Sequence, residues 1–300
     1  MIKKLIDEKI NFDVGVFLKE IRRTRGYTQK DAGGDYISKS QLSRFENGET
    51  ILTVEKLYYA MTQISVTPNE FFNAFNDYKL DRMQELYRIL DTIVLSVEEG
   101  INKSETLIIK NPKDKFERLS NVMIKSVLQD ITGKKYVSRE EYLLVGDYLS
   151  AIDYWSEFEL KLLYYTCGIL DLGDIRWFGE MLVERAEHFN KGYNQRLFLA
   201  TLSNLYEGLV MDRQELEEAT YFREQLEKFV VRQHGEIWII FTIIKLFHDC
   251  LLKDTKENRK RIEDYLNAAE VIGVDFLVNY YRNRLLTLNP SKKTAKDKEN

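Results

Sequence analysis

The chain has 300 residues and a formal net charge of −4; 44% of its residues are hydrophobic, and only three are proline and 15 glycine. This hydrophobic fraction is ordinary for a folded chain, which excludes wholesale disorder. So little proline and glycine leaves few tight turns, which argues against a β-sandwich, barrel or propeller. Two cysteines cannot form a disulfide scaffold and suit a reducing cytosol.

No segment of the sequence predicts secretion or membrane insertion. The N-terminal residues are partly basic but lack a long apolar core, unlike a signal peptide. The most apolar stretch, Ile237–Leu252, is interrupted by Lys245, His248 and Asp249 and is too short to span a bilayer. We therefore expect a cytoplasmic protein that does not enter a membrane.

The segment 13–76 has the apolar periodicity of five short helices. Its first helix covers about 13–25, and a second, much shorter helix starts at Thr28. The last helix opens with Thr67-Pro68-Asn69-Glu70, which supplies an N-cap, proline at the first helical position and glutamate at the third. We therefore expect a small five-helix domain over residues 1–77.

The third helix of this domain combines an apolar face with a polar one. It begins at Ser38, whose hydroxyl can cap it while Gln41 completes a capping box, and it ends before Gly48. Leu42 and Phe45 face inward at a spacing of i, i+3. The outward residues are small, polar or cationic. They are Lys39, Ser40, Ser43 and Arg44.

A very short helix, a glycine turn at Gly33-Gly34 and a capped polar helix together have the layout of a helix-turn-helix. In that motif the later helix presents its side chains to the major groove of DNA. Serine and glutamine can hydrogen-bond base edges there, whereas arginine and lysine reach guanine or phosphate. The alternative is that residues 39–47 are simply an amphipathic helix in a bundle.

Two stretches of this domain resemble the N-terminal domain of the Rgg/GadR/MutR family, transcriptional regulators of Gram-positive bacteria. They are Tyr27-Thr28-Gln29 and Ser38-Lys39-Ser40-Gln41-Leu42-Ser43-Arg44-Phe45-Glu46-Asn47-Gly48-Glu49. The stretch from Gly146-Asp147-Tyr148-Leu149 through Trp155 and Glu159 is similar to that family more weakly. The resemblance implies an all-α chain in which a five-helix, lambda-repressor-like helix-turn-helix domain precedes a TPR-like helical-repeat domain.

The resemblance also implies a function and a set of DNA contacts. It implies a homodimer that binds double-stranded DNA near promoters, with a repeat domain that in several members binds a short signalling peptide, as in quorum sensing. Carried over by position, it implies that Gln29 contacts phosphate. Together with the outward face of the third helix, it gives the DNA-binding set Thr28, Gln29, Ser38, Lys39, Ser40, Gln41, Ser43 and Arg44.

The distribution of charge agrees with a DNA-binding N-terminal domain. Residues 1–77 hold 11 basic and 11 acidic residues, whereas residues 78–289 hold 29 basic and 35 acidic residues. The acidic part is not expected to bind DNA, because local cationic charge sets the affinity for phosphate. The cations of the first and third helices are Lys19, Arg22, Arg23, Arg25, Lys39 and Arg44.

Beyond a connecting helix and linker at 78–112, the sequence predicts an α-helical repeat domain over residues 113–289, which contain no proline. The predicted helices pair into units starting near 139, 174, 214 and 257, about 35, 40 and 43 residues apart, close to the period of helical-pair solenoids. An irregular helical bundle is the alternative. The lysine-rich residues 290–300 are expected to form a disordered tail.

Helix starts and stops in the repeat domain follow from short patterns. Ser138-x-x-Glu141 and Ser156-x-x-Glu159 have the form of capping boxes. Five glycines stand where a glycine typically ends a helix. They are Gly133, Gly173, Gly192, Gly235 and Gly273.

Stacked helix pairs form a concave face on which aromatic and polar side chains can hold an extended peptide. The candidate ligand-binding residues are Tyr164, Trp177, Asn194, Arg196 and Trp238. The C-terminal helix at 275–288 has apolar residues on more than one face, although an end repeat normally has a polar outer face. We expect this helix to pack against a second subunit.

No motif in the sequence predicts catalysis, a cofactor or a metal site. It contains no glycine-rich phosphate loop, no G-x-S-x-G and no H-E-x-x-H. Cys167 and Cys250 lie on apolar helix faces and are expected to be inert. The prediction is a DNA-binding transcriptional regulator without enzymatic activity. The alternative is a protein-interaction scaffold whose repeat domain binds a partner protein.

Overall fold

The computed structural model describes residues 10–95, 106–189, 194–230 and 232–288. The chain forms two compact units, Met1–Gln84 and Glu85–Asn300. Every regular element in these described ranges is a helix, which confirms the all-α prediction. Among the described helices none is long and apolar enough to cross a membrane. The predicted tail at 290–300 and Gly192 lie outside the described residues.

The first unit contains the five predicted short helices. They are α1 Ile10–Thr24, α2 Gln29–Gly33, α3 Lys39–Glu46, α4 Val54–Gln63 and α5 Pro68–Phe75. Their inward faces form one core, in which Leu18, Leu42 and Phe71 are fully buried. Burial of such side chains stabilises a fold by about 1.5–3 kcal/mol each, so this core fixes the position of α3 among its neighbours.

Local capping chemistry sets the limits of these helices. Thr67 and Glu70 form the predicted capping box, with Pro68 at the start of α5. Ser38 accepts a hydrogen bond from the Gln41 N–H, as expected. The Gln41 side chain, however, does not complete a box with Ser38, because its Oε1 accepts a hydrogen bond from Nζ of Lys56 instead.

The remaining helices are longer on average and belong mostly to the second unit. They are α6 Arg82–Leu95, α7 Lys115–Thr132, α8 Arg139–Ala151, α9 Glu157–Thr166, α10 Leu172–Glu184, α11 Ala186–Phe189, α12 Asn194–Glu207, α13 Leu216–Phe229, α14 Gly235–Leu252, α15 Lys256–Val271 and α16 Asp275–Thr287. The part of α6 beyond Gln84 packs on α9, where the Tyr165 hydroxyl donates to Asp91 at 3.2 Å.

Helices of the second unit are arranged in two layers. An inner layer holds α7, α9, α12 and α14 side by side, while α8, α13 and α15 pack on α7, α12 and α14. Each inner helix starts about 40 residues after the previous one, as in helical-pair repeats. The contacts favour pairs that begin one helix earlier than predicted, with α8 packing mainly on α7 and α13 mainly on α12. Tyr148 of α8 also donates to Glu159 of α9 at 2.6 Å.

Two glycines predicted to end helices lie inside them instead. Gly173 is in the first turn of α10, and Gly235 begins α14. The expectation was correct for Gly133 and Gly273, whose φ angles of 67° and 82° are in the left-handed region. The difference arises because Asp171 caps α10 through the Asp174 N–H, two residues before Gly173.

The segment between α12 and α13 departs from a regular helix. Gly208–Arg213 form a π-helix, which ends at Gln214 in the left-handed conformation with φ 55°. Nη2 of Arg213 donates to the carbonyls of Cys167 at 3.1 Å and Leu170 at 3.0 Å. Arg213 therefore links the end of this π-helix to the backbone of the segment that follows α9.

Candidate functional site

A buried ion pair holds the third helix of the first unit in place. Nε and Nη2 of Arg22 on α1 donate to the two carboxylate oxygens of Glu46 on α3 at 2.5 and 2.8 Å. Glu46 is fully buried and Arg22 is only 6% exposed. Nε2 of Gln29 on α2 donates to Oε2 of the same carboxylate at 2.8 Å. One carboxylate thus joins α1, α2 and α3.

The outer face of α3 carries the residues that the sequence assigned to DNA. Ser38, Lys39, Ser40 and Arg44 are exposed, whereas Gln41 and Ser43 are partly buried. Arg44 is near Glu49, with 3.8 Å from its Nε to the carboxylate. The side chains of Leu42, Phe45 and Glu46 are buried behind this face. The structure therefore brings six of the eight predicted residues together on one helix and its cap.

Thr28 and Gln29, the other two predicted contacts, make hydrogen bonds within the protein. The Thr28 hydroxyl donates to Oδ2 of Asp31 at 2.7 Å and accepts from the Asp31 N–H at 3.1 Å, which forms a capping box. The same hydroxyl holds the pKa of Asp31 below its usual value. The amide of Gln29 is bound to Glu46. Both residues therefore help to position α2.

The predicted cluster of cations on α1 needs correction. Arg22 is buried against Glu46, so it does not present its charge to a ligand. Arg25 donates to the carbonyl of Ser65 at 2.5 Å and lies 3.4 Å from Glu70, at the start of α5. Lys19 donates to Oδ1 of Asn47 at 2.8 Å. These three side chains bind other parts of the first unit. One face of α1 packs in the core, so only some of its cationic side chains point to solvent.

Lys56 is a residue near this face that sequence reasoning missed. It is the third residue of α4, and its Nζ donates to Oε1 of Gln41 at 2.8 Å and lies 5.9 Å from the centre of the Tyr36 ring. No local spacing rule joins two residues fifteen positions apart, so only the packing of α4 beside α3 reveals the contact.

The second unit contains a cavity of about 470 Å³ across three inner helices, α9, α12 and α14. Its volume is in the range of small-molecule sites. The cavity is lined by Glu157, Lys161, Tyr164, Arg196, Leu197, Ala200, Ser203, Asn204, Glu207, Glu236, Ile237 and Ile240. Successive inner helices contribute side chains to one continuous lining.

Polar groups on α12 line this cavity. Ser203 is only 3% exposed, and its Oγ has no hydrogen-bond partner among the described residues. Such a buried polar atom costs about 1–3 kcal/mol unless a partner satisfies it. The neighbouring Asn204 donates through Nδ2 to the carbonyl of Tyr164 on α9 at 2.7 Å, which fixes its amide in the lining.

Charged groups of both signs surround the same space. Arg196 and Glu236 approach to 3.7 Å between α12 and α14, with both side chains largely exposed. Nζ of Lys161 lies 3.8 Å from the centre of the Tyr87 ring. Withdrawal from solvent raises the pKa of Glu207 to about 7, although hydrogen bonds from Tyr281 and Tyr280 act in the opposite direction.

Two of the five predicted ligand-binding residues, Tyr164 and Arg196, line the cavity. Trp177, Asn194 and Trp238 are not part of this lining. Trp177 is 57% exposed on α10, outside the inner layer. Trp238 follows Ile237, which does line the cavity. Because successive helical residues point about 100° apart, the Trp238 side chain points away from the direction of Ile237. Asn194 is the first residue of α12, before the part that forms the lining.

Other reactive groups of the second unit lie in its core. Cys167 and Cys250 are free and buried, which confirms the expectation from their apolar faces. Burial raises the pKa of the Cys167 thiol to about 12, so it remains protonated at neutral pH. Within the described part of the chain, no three or more His, Cys, Asp or Glu side chains are grouped to hold a metal ion.

The fold and the exposed face of α3 define a class, the helix-turn-helix proteins that carry a helical-repeat domain. Comparison with family models agrees with both parts. A helix-turn-helix model matches residues 18–59, and the model of the HTH-type transcriptional regulator Rgg, C-terminal domain, matches residues 103–283. The second match covers more than half of the chain, and the chain belongs to the Rgg family of transcriptional regulators.

Solved structures show the same fold at low sequence identity. The SHP pheromone receptor Rgg2 of Streptococcus dysgalactiae has a TM-score of 0.71 and 18% identity, covering 90% of this chain and 99% of that one. A putative transcriptional regulator from Listeria monocytogenes EGD-e has a TM-score of 0.75 and 17% identity, with coverages of 93% and 97%. The PrgX/iCF10 complex has a TM-score of 0.64 and 15% identity, with coverages of 91% and 95%.

Proposed function

We propose that the regulator recognises DNA by placing α3 in the major groove. The observation that carries this proposal is the exposed polar face of a helix that the Arg22–Glu46–Gln29 network holds rigidly. Rigid placement matters because base recognition requires side chains within hydrogen-bond distance of defined base edges. The proposed contacts are Thr28, Gln29, Ser38, Lys39, Ser40, Gln41, Ser43 and Arg44.

Selection of binding sites from a random DNA library by the full-length protein tests this proposal. We expect an enriched site with two related halves, since a two-fold symmetric dimer places its two recognition helices one helical turn, or a multiple of it, apart. Recovery of DNA without any enriched sequence would contradict it. A protein-interaction scaffold, the alternative that the sequence left open, gives that outcome.

We further propose that the cavity across α9, α12 and α14 binds a short peptide. Its lining contains cationic and anionic side chains, and every peptide residue except proline carries both a backbone donor and a backbone acceptor. Ser203 is part of this lining, and rotation of its buried, unpartnered hydroxyl toward the cavity would give a ligand a hydrogen-bond partner. The structural neighbours include a pheromone receptor and a bacterial peptide pheromone/receptor complex, the latter with a TM-score of 0.63 and 16% identity.

Mass spectrometry of peptides retained by the full-length protein purified from its own host tests the peptide proposal. Wild-type protein is expected to retain a discrete short peptide. Ser203→Ala should retain at least about fivefold less of that peptide, since a net hydrogen bond contributes about 1 kcal/mol to binding. Ser126→Ala is the matched control, because Ser126 also has an unpartnered buried Oγ but lies on α7 and outside the cavity lining. Equal retention by both variants, or no peptide at all, would contradict the proposal.

We also propose that the regulator acts as a cytoplasmic homodimer in which α16 contributes to the interface. On this helix Val278, Tyr281 and Leu285 are buried within the unit, while Leu286 remains 84% exposed. A helix with apolar residues on two faces can pack on its own unit and on a second copy. Sedimentation at micromolar concentration should give a dimer, and a monomer would contradict the proposal.

A further inference from the structure

We propose that Lys56 determines which base α3 recognises, because it binds the amide oxygen of Gln41. This inference rests on the proposed role of α3 in DNA recognition. Lys56 belongs to α4, and its Nζ donates to Oε1 of Gln41 in the first turn of α3 at 2.8 Å. In helix-turn-helix proteins the N-terminal residues of the recognition helix contact base edges, so the amide of Gln41 is in the part of α3 that reads sequence.

Aromatic packing holds the Lys56 ammonium group beside Gln41. It lies 5.9 Å from the centre of the Tyr36 ring, within the range of a cation–π contact. Tyr36 is in the turn between α2 and α3, and its ring packs on that of Tyr59 with 5.2 Å between centroids. Both Lys56 and Gln41 are partly buried. The pair is therefore a fixed feature of the surface, positioned by α4 and by the turn.

This contact changes the hydrogen-bonding character of Gln41. A glutamine amide has one acceptor and one donor group and typically reads adenine through both, accepting from N6 and donating to N7. Oε1 has two lone pairs, and Lys56 occupies one of them and places its ammonium group beside the other. The N–H donors of the two side chains therefore outnumber the one acceptor position left for a base. Lys56 has three N–H donors and uses one of them on Gln41. Gln41 and Lys56 together therefore present mostly donors.

Guanine is the base whose major-groove edge fits two neighbouring donors. Its N7 and O6 are both acceptors, whereas adenine places the N6 donor beside its N7 acceptor. A donor pair therefore gains hydrogen bonds with guanine and meets an unpaired donor on adenine. We infer that the pair selects guanine over adenine at one position of each half-site, and that without Lys56 the preference of Gln41 would return to adenine.

The test is site selection from random DNA with the full-length wild-type protein and with Lys56→Met, followed by affinity measurements on duplexes that differ at one base pair. The wild type should require guanine at one position of each half-site. In Lys56→Met that position should shift toward adenine, with the guanine-to-adenine affinity ratio falling about tenfold or more, since each good bidentate contact discriminates by about 1–3 kcal/mol.

Two further variants make the result specific. Lys79→Met removes the same charge from an exposed lysine that pairs with Asp77 at 3.3 Å, and it should leave the selected site unchanged. Gln41→Ala should weaken the guanine preference at that position, and adding Lys56→Met to it should abolish what remains. A uniform loss of affinity in Lys56→Met with the same selected site would overturn the inference, as would a selected site unaffected by Gln41→Ala. Failure of the wild type to enrich any sequence would instead contradict the proposed function.

Discussion

Glu46 illustrates how one side chain can position a functional surface without belonging to it. Its carboxylate is fully buried and accepts hydrogen bonds from Arg22 on α1 and Gln29 on α2. A buried ion pair is not a large net source of stability, because burial removes both charges from water. Its effect is geometric: both oxygens have partners only when α1, α2 and α3 are packed correctly.

Removal of Glu46 should therefore unfold or loosen the first unit. Glu46→Ala leaves the buried guanidinium of Arg22 without its partner, which typically costs about 3–5 kcal/mol. Hydrogen exchange of the full-length protein should show lost protection in α1 and α3. Glu20→Ala, which changes an exposed carboxylate on α1, is the control and should shift stability by less than about 0.5 kcal/mol. Unchanged protection in Glu46→Ala would contradict this role.

Glu207 makes the stability of the second unit depend on pH. Its pKa is raised from 4.5 to about 7, so the folded protein holds a proton there that the unfolded chain has already released. The contribution of this group is complete below about pH 4.5 and is lost as the pH rises through about 7. Burial is the main cause, since the charged carboxylate loses solvation next to the cavity.

The variant Glu207→Gln cannot ionise at this position, so it should not lose stability as the pH rises through about 7. Relative to wild type, it should melt at a similar temperature at pH 5 and at a higher temperature at pH 8, by about 2–4 °C for each kcal/mol recovered. All three tryptophans, at positions 155, 177 and 238, belong to the second unit, so their fluorescence reports its unfolding. Glu217→Gln, at an exposed position of α13, should show no such difference. A difference in melting temperature between Glu207→Gln and wild type that is the same at pH 5 and pH 8 would disprove the raised pKa of Glu207.

At the level of elements, the sequence predicted what local chemistry decides. The caps at Ser38, Thr67 and Ser138 join residues three apart, so they could be recognised without knowledge of the fold. The limits of α10 and α14 were less predictable. Gly173 and Gly235, which were predicted to end helices, lie within α10 and α14. A nearby capping residue or tertiary packing determined the helix limits there, rather than the glycine itself.

The functional contacts depend on residues far apart in the chain, which the sequence alone does not connect. Arg22 and Glu46 are 24 positions apart, and the Asn204 amide meets the Tyr164 carbonyl across 40 positions. Residue types on one helix could be predicted, as on the outer face of α3. The cavity lining was predicted only at Tyr164 and Arg196, because the register of α9, α12 and α14 decides which side chains face each other.

Close packing between α1 and α3 requires a residue without a side chain at position 15. A Cβ atom on Gly15 would collide with the carbonyl oxygen of Phe45. Gly15→Ala should therefore push the two helices apart, destabilise the first unit by about 1–3 kcal/mol and weaken DNA binding. The measurements are hydrogen exchange in α1 and α3 and affinity for the selected DNA site.

Gly146→Ala is the matched control for this substitution. A Cβ at Gly146, in the interior of α8, would meet nothing within 4 Å. Because alanine favours a helix over glycine, that variant should be unchanged or more stable by about 0.5–1 kcal/mol. Equal hydrogen exchange and equal DNA affinity in the two variants would contradict the requirement for glycine at position 15.

Across the whole molecule, the two parts of the chain differ in charge. The region 78–289 has six more acidic than basic residues, whereas residues 1–77 are balanced and expose Lys39 and Arg44 on α3. DNA affinity is therefore expected to reside in the first unit, and the cavity in the second unit is available for a ligand of mixed charge. Membership of the Rgg family fits this division, because the helix-turn-helix model and the Rgg C-terminal model match the two parts separately.

The most direct test of the central claim compares wild type with Arg44→Ala on the selected site and on a scrambled duplex, by fluorescence anisotropy at ~0.15 M salt, since these affinities depend on salt. Wild type should bind the selected site at least about 10³-fold more tightly than the scrambled one. Arg44→Ala should lose about 1–3 kcal/mol on the selected site and much less on the scrambled duplex. Unchanged affinity of Arg44→Ala for the selected site would contradict the assignment of α3 as the recognition helix.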